Sequence, residues 1–279
     1  MKPFPVPVSA IGPGALAEDE APQYVSVQSD MAVFRQPLAP EAADPHALQQ
    51  VRAFLARLIA AMQTQAFGVP RFDLGDLEPA ALALLNEALG EGEVSAIVRA
   101  PRPLRIQETA FAGVWRVREM PDDDAAIRDW IEVCPIPAAV GAAAQACGAA
   151  SLAAPPPVGL MNAPALLAEI ADHAARWCAG QPPHVINLTL LPVSPEDLDY
   201  LARALGAGAV TVLSRGYGNC RISSTQLPRV WRVQYFNSMD RLILDTIEVV
   251  AVPEVALAAA EDHADSIERL GEWLETLAG

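Results

Sequence analysis

The sequence predicts an α+β fold made by tandem duplication of an α/β unit, each copy carrying an antiparallel sheet of three or more strands flanked by helices. Three observations carry this. The chain repeats itself: "LGEGEVSAIVRA" from Leu89 lies over "LGAGAVTVLSRG" from Leu205, and "IEVCPIP" from Ile131 over "IEVVAVP" from Ile247. One shift of about 116 residues aligns them without a gap, and about 19 of 49 positions from Leu89 to Pro137 are identical. Each copy opens with apolar residues at helical spacing. Each copy then closes with strand-like runs separated by turn-forming residues.

The elements follow in chain order. Residues 1–44 read as an irregular arm, with "AIGPGALAEDEA" and a short candidate strand, "MAVFR". The first copy spans residues 45–150, a Pro-rich linker 151–164 and the second copy 165–279. In each copy an amphipathic helix comes first, Leu48 to Gln63 and Ala165 to Cys178. A short extended segment follows, clearest as "HVINLTLLPV". A second helix opens at Pro79 and at Pro195, where Ser194 and Asp197 form a capping pair. The shared "LG-x-G" ends that helix with a glycine. Strand-like runs cover Val94–Arg99, Arg105–Arg118 and Ala126–Val133, with equivalents in the second copy. A final helix closes each copy, long and acidic over Pro253 to Leu277 in the second. Strand order is not readable from this pattern.

The net charge is −15, which excludes a general nucleic-acid binder, since that needs a basic face to replace phosphate counterions. It suits a protein that steers a basic partner segment by its field. No apolar stretch is long enough for stable membrane insertion, and the N-terminus lacks the apolar core of a signal peptide, so a cytoplasmic location is expected. Cys134, Cys147, Cys178 and Cys220 form no C-x-x-C, and the four histidines show no metal-ligand spacing. "PDDDAA" lacks the alternation of a calcium loop and reads as a solvated hairpin tip. Gly216 and Gly218 are only part of a nucleotide fingerprint and open no helix. Neither a resident metal, nor a cofactor, nor an enzyme activity is expected.

Comparing the copies sorts residues. Both keep a Trp-Arg pair and a glutamate: Trp115, Arg116 and Glu132; Trp231, Arg232 and Glu248. Alternation puts Trp231 on one sheet face with Val233 and Tyr235, and Arg232 on the other with Gln234. Counting symmetrically about each hairpin loop sets each arginine opposite its glutamate, either as a structural ion pair or as a docking surface. One stretch is specific to the second copy: "RGYGNCRISST" stands where the first has "RAPRPLRIQET". Arg215, Gly216, Tyr217, Gly218, Asn219, Cys220 and Arg221 read either as a tight hairpin turn followed by an ordinary strand, or as an exposed loop that touches a partner or a metal centre. Leu104 replaces Cys220 in the first copy.

"SRGYGNCRIS", "VWRVQYFNSMDRLILDTIEVVAVPEVA" and "AIGPGALAEDEA" resemble the hydrogenase expression/formation family HupH/HyaF/HoxQ over nearly the whole chain. The resemblance implies a non-catalytic accessory protein in the maturation of uptake NiFe-hydrogenases. Its implied client is the iron–sulfur small-subunit precursor with its signal peptide, held before twin-arginine export, with other accessory proteins as further partners. In that setting the 215–221 loop becomes the candidate client contact, and Cys220 a candidate transient iron ligand that needs partner cysteines to complete a cluster. The alternative is a scaffold of a larger maturation complex with no preference for the small subunit.

Overall fold

Helix α1, Pro45–Gln63, starts where Asp44 accepts a hydrogen bond from His46 N and proline occupies the first turn. Its buried residues Val51, Phe54, Leu55, Leu58 and Met62 recur at helical spacing and face one side. A computed structural model describes residues 44–64, 71–120, 127–146, 157, 159–216 and 218–277. The expected N-terminal arm up to residue 43, residues 65–70, residues 121–126 with the expected hairpin tip, most of the expected linker, Cys147 and Tyr217 lie outside the described residues.

After α1 come β1 (Phe72–Asp73), α2 (Pro79–Leu89), β2 (Val94–Val98), β3 (Leu104–Glu108), β4 (Val114–Glu119), β5 (Arg128–Val133) and α3 (Ala138–Gln145). The second copy repeats this as α4 (Ala163–Arg176), β6 (His184–Asn187), α5 (Pro195–Leu205), β7 (Val210–Ser214), β8 (Asn219–Ser224), β9 (Val230–Phe236) and β10 (Leu242–Val249). A 3-10 turn, Glu254–Ala256, stands where α3 begins in the first copy, and α6 (Ala260–Thr276) follows. Helix α4 begins inside the expected linker, and the expected helix over 253–277 breaks between the 3-10 turn and α6.

The ten strands form one antiparallel sheet in the order β1-β5-β4-β3-β2-β7-β8-β9-β10-β6. Each copy contributes one half, and the halves meet along β2 and β7. The register there is symmetric: Ala96 pairs with Val212, its own counterpart, while Val94 pairs with Ser214 and Val98 with Val210.

The expected run Arg105–Arg118 is not one strand. It folds into the β3–β4 hairpin because Thr109 Oγ1 accepts from Phe111 N and Gly113 takes φ +79°. The second copy uses the same device, with Thr225 Oγ1 accepting from Leu227 N and Arg229 at φ +64°. The "LG-x-G" motif also has a physical reading. Gly90 and Gly206 end their helices at φ +58° and +63°. At Gly92 and Gly208 a Cβ would collide with Thr109 O and with Thr225 O and Ser224 Oγ, so only glycine lets these strands approach.

Alternation gives the sheet two faces. On one lie Ala96, Ile106, Trp115, Val117, Val212, Ile222, Trp231 and Val233, covered by α3 and the 3-10 turn. Trp115 and Trp231 are fully buried, and their Nε1 groups donate to Cys134 O and Val250 O at 2.9 and 3.2 Å. The other face is covered at its two ends. Helices α1, α2 and α6 pack on Val114, Ile131 and Val133; α4 and α5 pack on Val230, Ile247 and Val249. Helix α6 thus belongs to the second copy in sequence and to the first copy in packing, where Leu270 and Trp273 join Val51 and Phe54.

Candidate functional site

Between these helical ends the middle strands present a polar floor. The ladder places Ser95, Gln107 and Arg116 side by side, and next to them Ile97, Arg105 and Arg118. Across the seam lie Leu213, Arg221 and Gln234, and Thr211, Ser223 and Arg232. A cavity of about 590 Å³ opens on the first half of this floor, between α2 and strands β2, β3 and β4. Its walls combine Leu85, Leu89 and the half-exposed Ile97 with Asn86, Arg105 and Arg118.

The expected Arg–Glu pairs do not form. Arg116 stands opposite Ile131, and Glu132 stands opposite Trp115. In the second half Arg232 stands opposite Ile247, and Glu248 opposite Trp231. The true register differs by one residue from symmetric counting about the loop, and one residue of slip moves a side chain to the other face. The arginines find aspartates instead. Arg116 Nε and Nη2 donate to Asp129 Oδ1 and Oδ2 at 2.9 and 2.6 Å. Arg232 makes the same two-pronged bond to Asp245 at 2.9 and 2.6 Å. Glu132 accepts from Trp130 Nε1 at 2.8 Å and pairs with Arg71 at 3.1 Å. Glu248 accepts from Thr246 Oγ1, and burial holds its carboxyl above the usual range.

The first-half floor is more cationic. Arg118 shares Asp129 at 3.1 Å, and Arg116 Nη1 also donates to Asn86. Their counterparts in the second half are Gln234 and Ala202. Arg105 is exposed and makes no ion pair among the described residues. Its counterpart Arg221 lies over the Phe236 ring at 5.6 Å.

Arg215, Gly216, Gly218 and Asn219 form the turn of the β7–β8 hairpin and are exposed, as is Arg221 at the start of β8. Gly218 takes φ +101°, and Asn219 Nδ2 donates to Asp240 Oδ1. Cys220 departs from the expected ligand role. It is 4% exposed, on the tryptophan face, beside Tyr235. Burial pushes its thiol up to about 11 and the Tyr235 hydroxyl up to about 12, which disfavours a free thiolate near neutral pH.

Two features escape sequence reasoning. Glu108, where the second copy has Ser224, is 8% exposed and accepts from Gly113 N at 3.3 Å. Burial pushes its carboxyl up to about 7, with Glu93 and Asp262 adding to the effect. The second feature is a cluster of Glu169, His173 and His184, whose ligand atoms lie within 4.8 Å of one another. Spacing alone hides it, because His184 arrives from edge strand β6 while Glu169 and His173 sit one turn apart on α4. The i, i+4 placement of Glu169 and His173 was the available signal.

A self-paired sheet built from two copies of one α+β unit, with helices at its ends and an arginine floor between, defines a tandemly duplicated α+β protein. The chain belongs to the HupH hydrogenase expression protein family: the family's C-terminal conserved region matches residues 44–153 and again 160–277, one match in each half. It is 47% identical to the hydrogenase expression/formation protein HoxQ of Cupriavidus necator, over 99% of this chain and 98% of that protein. It is 45% identical to HupH of Rhodobacter capsulatus, over 98% of each chain. The hydrogenase-1 operon protein HyaF of Escherichia coli is 37% identical over 70% of this chain and 68% of that protein. A solved structure, hydrogenase expression protein HupH from Thiobacillus denitrificans, is 32% identical, covers 40% of this chain and 92% of that chain, and has a TM-score of 0.38.

Proposed function

We propose that this protein is a non-catalytic chaperone of NiFe-hydrogenase maturation that holds the iron–sulfur small-subunit precursor before its twin-arginine export. The family match in both halves carries the reading, since relatives spanning the whole chain are named for hydrogenase expression and formation. Electrostatics supports it. Glu261, Asp265, Glu268, Glu272 and Glu275 are exposed and form an acidic stripe at helical spacing along α6. A twin-arginine signal has a basic leading segment, and opposite charges speed encounter. The exposed β7–β8 turn with Arg221 is the proposed second contact, and Cys220 beside it is buried. Among the described residues no helix is long and apolar enough to cross a membrane.

The test is a pull-down with tagged protein from cells expressing the hydrogenase genes, with and without the small subunit's signal peptide. Capture of the signal-bearing precursor, lost on the mature subunit, supports the chaperone. Capture of other maturation proteins with no small subunit would replace it by the scaffold reading. Binding that is unchanged between low and high salt would remove the electrostatic component.

A further inference from the structure

Among the described residues, the side chains of one cluster at the outer edge of the second half belong to no apolar core and to neither proposed client contact. Glu169 and His173 lie one turn apart on α4, and His184 opens the edge strand β6. Glu169 Oε1 lies 2.8 Å from His184 Nε2. The two imidazoles stack face to face, with centroids 3.4 Å apart and planes within 3° of parallel. A full face-to-face stack is the least favoured arrangement for two aromatic rings, so packing preference does not account for it. Symmetry does not account for it either, because Ala53 and Arg57 occupy the α1 positions matching Glu169 and His173. All three side chains are exposed or half-buried, which leaves them open to an ion.

We infer that Glu169, His173 and His184 form a binding site for a divalent transition-metal ion. Two imidazole nitrogens and one carboxylate oxygen are the donor set that suits zinc, cobalt or nickel rather than calcium or magnesium. Bonds of about 2 Å to one ion require the donor atoms to rearrange from their present spacing, the 2.8 Å contact of Glu169 Oε1 with His184 Nε2 included. A turn of either imidazole about its side-chain bonds achieves this and breaks the stack. Three protein ligands leave at least one position for water or for a group from another molecule. The site ties α4 to β6, so metal binding also clamps the free edge of the sheet. None of this depends on the client reading.

The experiment uses the full chain, freed of any affinity tag, titrated with Co²⁺ and followed by its visible absorption, then with Zn²⁺ by calorimetry. The expected result is one saturable ion per chain, displaced by Zn²⁺, with a rise in Tm on binding. His173→Ala and His184→Ala should each weaken binding by about tenfold or more, and Glu169→Gln by less. Melts of the metal-free variants show whether each remains folded. Paramagnetic Co²⁺ on the unaltered protein supplies a readout that needs no variant: the ring signals of His173 and His184 should broaden first, ahead of His46 and His263. Absence of saturable binding, binding undiminished in both histidine variants, or broadening centred on His46 or His263 would each overturn the site.

Discussion

In the first half of the sheet a carboxyl, Glu108, is buried where the second half has Ser224; in the second half a carboxyl, Asp197, is buried where the first has Ala81. The two acids behave oppositely. Glu108 has one backbone donor, Gly113 N, and burial wins, raising it to about 7. Asp197 is also fully buried by surface area, and burial works to raise it. Four backbone N–H groups, from Ser194, Ala163, Asn162 and Met161, outweigh that and hold its carboxyl below the usual range. Donor number, more than burial, decides whether a carboxyl inside this fold strains it or ties it together. Asp197 joins the starts of α4 and α5, whereas in the first half Glu78, at the start of α2, donates its N–H to Gln50 Oε1 of α1.

The largest expected effect tests what the halves share. Arg232→Ala would leave Asp245, 4% exposed, with its charge unpaired, a loss of about 3–5 kcal/mol in urea unfolding. Arg116→Ala should cost less, because Arg118 Nε remains 3.1 Å from Asp129. Equal losses would show that Arg118 does not compensate.

Next comes the contrast in acids. A carboxyl raised in the folded state contributes stability that is fully present below its unfolded value of 4.5 and is lost as pH rises through about 7. Glu108→Gln should therefore match the parent near pH 4.5 and exceed it by roughly 3 kcal/mol at pH 8.5. A carboxyl lowered in the folded state has the opposite sign. Asp197 stabilises above its ordinary value of 3.8 and loses that contribution as pH falls below it, so Asp197→Asn should flatten the acid side of the stability curve. Denaturant unfolding across pH 3–9 reads both arms.

A smaller effect separates the caps. Ser194 and Asp197 form a reciprocal capping box, whereas Glu78 makes no side-chain cap bond. Ser194→Ala should cost about 1 kcal/mol, and Glu78→Ala should stay within about 0.5 kcal/mol. The smallest effect is chemical. Exposed Cys178 should react with a thiol reagent well before Cys220 in the native protein, read by peptide mapping. Equal rates would mean that β8 opens readily.

Much of this plan was legible in the chain. The duplication, the helix starts at Pro79 and Pro195, and the placing of Trp231 on one face with Val233 and Tyr235 followed from repeat and alternation. Three things did not. Alternation says which residues share a face, not which residue stands opposite, so Arg116 was set against Glu132 when its neighbour is Ile131. The β3–β4 break rests on one threonine hydroxyl and one positive φ, a signal too local to interrupt an apolar run. The pairing of β2 with β7, the seating of α6 on α1 and the meeting of His173 with His184 join residues far apart or on different elements, and local pattern carries no trace of them.

The symmetric register about Ala96 and Val212 has a consequence for how such a chain arises. Two strands that pair antiparallel through the same residue of each copy are what two identical subunits make when they join by a two-fold axis. A gene encoding one half would therefore have yielded a homodimer with one continuous sheet, each partner covering the other's bare β2 edge. Fusion made that association permanent and independent of concentration. It also released the halves from identity. A dimer must carry every substitution twice, whereas the fused chain could place Arg118, Glu108 and α6 in one half and the Glu169–His173–His184 cluster in the other.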